Sequence, residues 1–446
     1  MEMKFASTDN HIDESLSGVG LGAQTKLSPP GRPAENSTLG AALANSYQNR
    51  RCECESRPPE QIAGSEAFTF WRGRVGLYAI LKALGIGQGD SVVIPGYTCF
   101  AVPSAICFTS AQPLYADIEP ATFNVSLGTI ESAIRARPQA RIKAIVIQHT
   151  YGIPAETYPI VSWARERGIA TIEDCAHVWG SRYANGAGEW AAVGTLADAA
   201  FFSSQWTKPF STGLGGWVEA RDPKLREKLR RFRAQDCVSP SKSEVAILAA
   251  QVGIRKIVSH PRIDWSMKKI YQALYSRGLV VGTSSKEELL GEMPLGYAKR
   301  MSSFQEWLLR RLKSDNTTMN RRHRLKGAYD AALESAGLPV LRVPENADPV
   351  LLRYPVRVEC KARALAQAKK RGLEIGDWYT APVDRPDSLD AEALGYQPGT
   401  CLEGERASRE VINLPMDPNT TEESVRRTVE FVRELDSRPN DKRLGW

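Results

Sequence analysis

The sequence predicts an α/β protein: a large domain on a mostly parallel sheet flanked by helices, then a small C-terminal α+β domain. Three observations predict it. Short apolar runs alternate with amphipathic helical segments from about residue 68 to residue 220, the signature of a parallel sheet covered by helices on both faces. After about residue 320 the alternation gives way to longer helices and one alternating strand. The 446 residues, 42% of them hydrophobic, supply a core large enough for two domains and extensions.

The elements follow in order. Residues 1–60 are rich in Ser, Asn, Gly, Pro and charge, and are expected to form a disordered or loosely docked extension. A large domain is expected over 61–237, with regular structure beginning near Phe68. Leu77, Ile80, Leu81 and Leu84 recur at helical spacing, and Gly87 to Asp90 should end that helix. Strands are expected over 91–95, 113–117, 144–148, 170–173 and 199–203, with helices near 129–137 and 158–168. Residues 238–295 are expected to form an inserted, helical and variable segment. The basic amphipathic stretch Trp265 to Tyr275 within it should pack on its own domain rather than on a partner or a membrane surface. The small domain, 296–446, should hold a helix over 321–336 and an exposed strand over 353–358. Its last helix should open on a capping box at Thr420–Glu423 and run through Val425, Val429 and Val432.

Composition narrows the function classes. The net charge of +7 and the pI near 8.9 suit an ordinary surface with a mild bias toward anionic ligands. No dense Lys/Arg stripe with interleaved aromatics is present, so nucleic-acid binding is unsupported. Eight cysteines form no C-x-x-C pair and five histidines lie far apart, so no metal site is expected and a reducing cytoplasm is the expected compartment. No run reaches the roughly 18 apolar residues that span a bilayer.

The residues with chemical potential gather at strand ends. Asp174 directly follows the strand 170–173, and Lys208 lies five residues after Ser203, which closes the strand 199–203. Neighbouring parallel strands would bring a carboxylate and an amine to opposite edges of one ring. Gly73-Arg74-Val75 opens the first helix, where free N–H groups favour an anion. Gly213 to Gly216 lets backbone pass close to the lysine loop. Such a set answers the demands of pyridoxal 5′-phosphate (PLP): a lysine for its aldehyde, a carboxylate for its ring nitrogen, and a helix start with hydroxyls for its phosphate.

The stretches ALGIGQGDSVVIPGYT (83–98), PLYADIEPATFNV (113–125), IQHTYGIPAE (147–156), IEDCAHVWGSRY (172–183) and FFSSQWTKPFSTGLGG (201–216) resemble the DegT/DnrJ/StrS family of sugar aminotransferases. The match resumes at GYAKRMSSFQ (296–305), GLEIGDWYTAP (372–382) and CLEGERASREVINLPMDPNTTEESV (401–425). The resemblance implies a fold-type I PLP-dependent transferase with a seven-stranded sheet. It puts the Schiff-base lysine on Lys208, the ring-nitrogen carboxylate on Asp174, the phosphate serine on Ser203 and the phosphate turn on Gly73, Arg74 and Val75. His177 stands where relatives have Gln and is expected to hydrogen-bond the ring or its phenolate oxygen. The stacking aromatic of relatives falls on Cys99, with Phe100 beside it. On the substrate side the candidates are His149, Trp378 and Tyr379. Ala298 stands where relatives have a phosphate-binding asparagine, and Arg74 is expected to replace that contact.

The resemblance further implies an amino donor, glutamate in most relatives, a nucleotide-linked keto sugar as acceptor, a role in amino-sugar or polysaccharide biosynthesis, and a homodimer. Two other readings stand beside it. A sugar dehydratase of this fold would carry histidine in place of Lys208, and a non-catalytic regulator or scaffold would tolerate the changes at Ala298, Cys99 and Trp378.

Overall fold

Seven strands form the large sheet: β1 (Phe68–Phe70), β2 (Ser91–Pro95), β3 (Gln112–Ala116), β4 (Ile142–Gln148), β5 (Ala170–Cys175), β6 (Ala199–Ser203) and β7 (Gly216–Ala220). This computed structural model describes residues 66–184, 187–258, 280–312 and 316–436. The expectations for residues 1–60 and for Trp265 to Tyr275 fall outside the described residues. The strand order is β1-β7-β6-β5-β4-β2-β3. Strands β2 to β6 run parallel to their neighbours among themselves, and β7 runs antiparallel to β6 and β1. β1 is an addition to the expected set, since three residues are too few to display a period.

Helices cover both faces, and residue alternation decides which face each side chain serves. Val92, Ile94, Ala144 and Val146 pack with Leu77, Ile80 and Leu81 of α1 (Gly73–Leu84). Val93, Ile145 and Ile147 face the other way, onto Ile130 of α2 (Leu127–Ala136) and Ile160 and Ala164 of α3 (Thr157–Glu166). Burial from both sides is why these strands read as apolar runs. Helix α1 ends before the expected turn. Gly85 takes φ 75° and donates its N–H to Lys82 O at 3.0 Å, a left-handed cap that only glycine adopts without strain. The turn at 87–90 follows separately.

The C-terminal layer joins α4 (Asn316–Ser335), β8 (Tyr354–Arg357), α5 (Lys361–Lys370), α6 (Leu402–Glu410), β9 (Val411–Leu414) and α7 (Glu422–Asp436). Strands β8 and β9 pair antiparallel. The expected exposed strand is instead buried at all four residues. Its polar members are satisfied from afar: the Tyr354 hydroxyl donates to Asp330 Oδ1 (2.7 Å), and Arg357 pairs with Glu410 (3.0 Å) and Glu403. The last helix is capped one residue later than expected. Thr421 N–H donates to Ser424 Oγ (2.8 Å) and Ser424 N–H to Thr421 Oγ1 (3.2 Å), while the Thr420 hydroxyl donates to Asp417 Oδ2 (3.2 Å). No described helix is long and apolar enough to cross a membrane.

Candidate active site

The carboxyl ends of β4, β5 and β6 open on one cavity lined by Lys208, Asp174, Ser203, Gly73, Arg74, Cys99, His177 and Tyr379. Parallel pairing sets Asp174 beside Gln148 on one side and Phe201 on the other. Asp174 and Gln148 therefore share a face, and both line the cavity. Asp174 Oδ1 accepts the Ala176 N–H (2.9 Å), and among the described residues the carboxylate has no other hydrogen bond. Burial pushes its pKa up to about 6, against the pull of that N–H and the Lys208 charge.

Lys208 follows β6 in a turn closed by its own N–H on Gln205 O (3.0 Å). Its Nζ stands 5.1 Å from the Trp378 ring centroid and makes no hydrogen bond or ion pair with any described residue. Burial lowers the amine to about 8; Cys99 and Asp174 resist the shift, and the Arg74 and Arg353 charges reinforce it.

The start of α1 meets the end of β6 without room to spare. A Cβ on Gly73 would lie 3.0 Å from both Phe202 O and Ser203 Cβ, and a Cβ on Gly216 would lie 2.3 Å from Gly73 Cα. Glycines at both positions let the helix start approach the serine. Arg72 stands at the helix's N-cap, and its side chain bonds none of the helix's free N–H groups. Arg74 lines the cavity, but its guanidinium donates to Glu288 Oε1 (2.9 Å) and Ser284 Oγ (3.0 Å). Arg72 reaches the same buried Glu288 at 3.3 Å. The guanidinium expected to be free for phosphate is thus largely committed to this pair. Ala298 lies in the apolar cluster beside Tyr297, outside the cavity lining.

His177 has both ring nitrogens engaged. Nδ1 accepts the Tyr151 N–H (3.3 Å), which leaves the proton on Nε2, 3.2 Å from the Tyr379 hydroxyl. Burial holds it neutral, far below its usual pKa. It lines the cavity, but both nitrogens are taken by protein partners rather than left for the ring or phenolate contact that was expected. Trp378 stacks on it with centroids 5.4 Å apart and planes at 15°.

The Trp378–Tyr379 loop is held by several anchors. Asn413 Oδ1 accepts the Trp378 N–H (2.8 Å), and Tyr97 Oη accepts the Tyr379 N–H (3.1 Å). The Tyr151 hydroxyl donates to Trp378 O. Lys361 Nζ, buried under α5, donates to Asp377 O (2.6 Å), Tyr379 O (2.7 Å) and Ser408 O (3.3 Å).

Three expected site residues lie elsewhere. Val75 is buried in the core of α1. Phe100 packs in the same apolar cluster, its ring 5.4 Å from the Arg74 guanidinium carbon, so of the neighbouring pair Cys99 lines the cavity. His149 is fully buried away from the cavity, its Nε2 3.2 Å from Glu173 Oε2 and its Nδ1 accepting the Ala155 N–H (3.0 Å). Glu173 also accepts the N–H groups of Gly194, Leu196 and Ala197. Cys175 completes a cluster whose ligand-type atoms lie within 4.8 Å of one another. The hydrogen bonds already fill the His149 and Glu173 acceptors, so the cluster is a polar hub of the fold. Gln148 and Arg353 were not singled out in the sequence; the contacts that mark them come from residues distant along the chain.

The donor set fits PLP: a free amine, a carboxylate with an unbonded oxygen, and a glycine-lined cradle at a serine and a helix start surround one cavity. The model of the DegT/DnrJ/EryC1/StrS aminotransferase family matches residues 60–255 and 263–433. The chain is 27% identical over 368 residues to the pleiotropic regulatory protein of Geobacillus stearothermophilus, covering 81% of this chain and 83% of that protein. It is 25% identical over 363 residues to the UDP-N-acetyl-3-dehydro-alpha-D-glucosamine 3-aminotransferase of Acidithiobacillus ferrooxidans, covering 81% and 82%. The solved structure of S. venezuelae DesV superimposes with a TM-score of 0.64 at 24% identity, over 90% of this chain and 95% of that one, a likeness of fold.

Proposed function

The chain belongs to the DegT/DnrJ/EryC1/StrS aminotransferase family, a family of PLP-dependent enzymes, and on that premise we propose that it transfers an amino group from an amino acid, glutamate foremost, to a nucleotide-linked keto sugar. The observation that carries this reading is the convergence of the Lys208 amine, the Asp174 carboxylate and the Ser203 hydroxyl on one cavity. The relative from A. ferrooxidans, named as an aminotransferase of a UDP-linked dehydro sugar, supports the acceptor class.

When bound, PLP supplies a carbonyl carbon for the amine and a ring that withdraws electrons from it. Lys208 would hold that carbon. Near neutral pH its lowered pKa makes the free base accessible, so Nζ, once displaced by the donor amine, would take the proton from the donor's amine-bearing carbon and return it to the carbon on the far side of the shared nitrogen. Asp174 would hold the ring nitrogen, and its charge would keep a proton there. Ser203 and the N–H groups of Gly73 and Arg74 would take the phosphate, with the Arg74–Glu288 pair at its edge. His177, Tyr379 and Cys99 line the cavity and would exclude water from it.

The same reading includes a homodimer, a cytoplasmic location and a place in surface-polysaccharide or amino-sugar assembly. Exposed Leu290, Met293 and Leu295, close in sequence to Glu288, support a second copy covering that edge. The regulatory name of the G. stearothermophilus relative favours a non-catalytic reading, but an intact amine, carboxylate and serine around one cavity speak for catalysis. The test is direct. Borohydride reduction of the PLP-loaded protein should fix the cofactor on the peptide containing Lys208. Glutamate should discharge its visible band, and one of a panel of nucleotide keto sugars should restore it. A colourless protein that takes up no PLP would end the reading.

A further inference from the structure

Residues 282–288 are fastened to the start of α1 by the two side chains that flank Gly73. Arg72 donates from Nη1 to Glu288 Oε2 (3.3 Å) and from Nη2 to Gly282 O (3.1 Å). Arg74 donates from Nη1 to Glu288 Oε1 (2.9 Å) and Ser284 Oγ (3.0 Å), and from Nη2 to Thr283 O (3.3 Å). Thr283 lines the cavity together with Arg72, Gly73, Arg74, Ser203 and Lys208. Glu288 is itself set by Ser285, whose N–H donates to Glu288 Oε2 (2.8 Å) and whose Oγ accepts the Glu288 N–H (3.2 Å). The two ends of the stretch are held elsewhere. The Val281 N–H donates to Gln251 Oε1 (3.0 Å), and the Ser388 hydroxyl donates to Leu289 O (2.8 Å). The stretch is thus a strap anchored at both ends and tied at its middle to the glycine turn.

The charges at that tie do not balance. Two guanidiniums share one carboxylate, and the side chains of Arg72, Arg74 and Glu288 are only 16%, 10% and 1% exposed. The first N–H groups of α1 add positive charge at the same place. Burial holds Arg72 below its ordinary pKa, with the Arg74 charge pushing the same way and Glu288 resisting. Arg72 Nε is buried and has no acceptor. Surplus positive charge with an unmet donor costs free energy that an anion would return. Each guanidinium carries five N–H groups, so an anion can be taken there without displacing Glu288.

We propose that residues 282–288 form a strap that a phosphate monoester seated on Gly73 tightens, with Glu288 as its positioning residue. The proposal rests on the PLP reading of this cavity and adds that the chain closes its own phosphate end. The dianion would lie between two guanidiniums that otherwise repel each other. Relief of that repulsion strengthens their hold on Glu288 and on the carbonyls of Gly282 and Thr283. The coupling is reciprocal: whatever the phosphate adds to the closed strap, the closed strap adds to phosphate affinity. Glu288 then governs how long the phosphate stays without touching it.

The test is hydrogen–deuterium exchange of the full chain, read over residues 281–291. PLP should slow exchange there about tenfold, saturating inorganic phosphate should slow it as well, and pyridoxal should leave it unchanged. Glu288→Gln should abolish the protection. It should also raise the dissociation rate of pyridoxamine 5′-phosphate, which forms no covalent bond with Lys208, by about tenfold, with Glu288→Asp in between. The dissociation rate of pyridoxamine, which lacks the phosphate, should stay within about twofold, an outcome that mere loosening of the fold would not give. Should Glu288→Gln fail to fold, Ser388→Ala frees the far end of the strap from an exposed position and should raise the same rate by a smaller factor. Equal protection by PLP and pyridoxal overturns the proposal, as does a dissociation rate unchanged in the folded variants. If PLP is fixed on Lys208 by borohydride while 281–291 exchanges freely, the strap fails and the cofactor reading stands. If phosphate and PLP protect the segment but nothing is fixed on Lys208, the strap stands and the cofactor reading fails.

Discussion

His149 Nε2 lies 3.2 Å from Glu173 Oε2, and both side chains are shut off from solvent. Burial pushes the Glu173 carboxyl up, but the His149 hydrogen bond and the Ala197 and Gly194 N–H groups outweigh it and hold the group below its ordinary range. The pair binds the end of β5 to the loop at 194–197. Glu173→Gln turns an amide N–H toward existing donors and should lower stability by about 3 kcal/mol in urea unfolding. His149→Leu should lower the melting temperature yet leave half-saturation by donor and acceptor within about twofold, since surface-remote changes of this kind act on stability. A large rise in either constant would return His149 to the substrate.

Lys208 makes stability depend on pH in the cofactor-free protein. Its ordinary pKa of 10.5 falls to about 8 in the folded state, chiefly through burial. Between those values the unfolded chain holds more protons, so stability rises with pH there, and below about 8 the folded state bears the full penalty of a buried ammonium. Lys208→Met should therefore be more stable than wild type at pH 7, by up to ~3 kcal/mol. The gap should close as pH rises from 8 to 10.5. A gap independent of pH would show that the amine is solvated.

Lys361 donates to three backbone carbonyls, two of them flanking Trp378. Lys361→Met leaves those carbonyls without their charged donor and should cost about 2–3 kcal/mol. The loosened loop should also raise half-saturation by substrates more than it lowers turnover. Steady-state kinetics beside a denaturant titration separates the two effects.

Gly73→Ala would press a methyl against Ser203 and Phe202 O. The expected result is an affinity for PLP reduced about tenfold, with affinity for pyridoxal, which lacks the phosphate, nearly unchanged. Equal losses for both would place the phosphate elsewhere.

The large sheet was legible because β2, β4, β5 and β6 are buried on both faces and read as apolar runs. Asp174, Ser203 and Lys208 were legible because strand ends of a parallel sheet converge. His149 was misplaced for a reason of alternation: Gln148 and Asp174 face the cavity, while Glu173, Cys175 and His149 meet on the far side. A motif string does not record which way a side chain turns. The 353–358 strand misled because the partners that let Tyr354 and Arg357 go inside, Asp330, Glu403 and Glu410, are distant in the chain. The tie of Arg72 and Arg74 to Glu288 was invisible in the same way, since its members stand 216 and 214 residues apart.

The groups that would grip the cofactor come from one sheet and the helix start beside it, all between Arg72 and Lys208, whereas Trp378, Tyr379 and Arg353 arrive on loops of the C-terminal layer. On the proposed reading, substitutions in the second set would retune which molecules are admitted without disturbing the first. Descendants of this chain can thus diverge in diet while inheriting the same reagent, and selection can act on appetite and chemistry as separate traits.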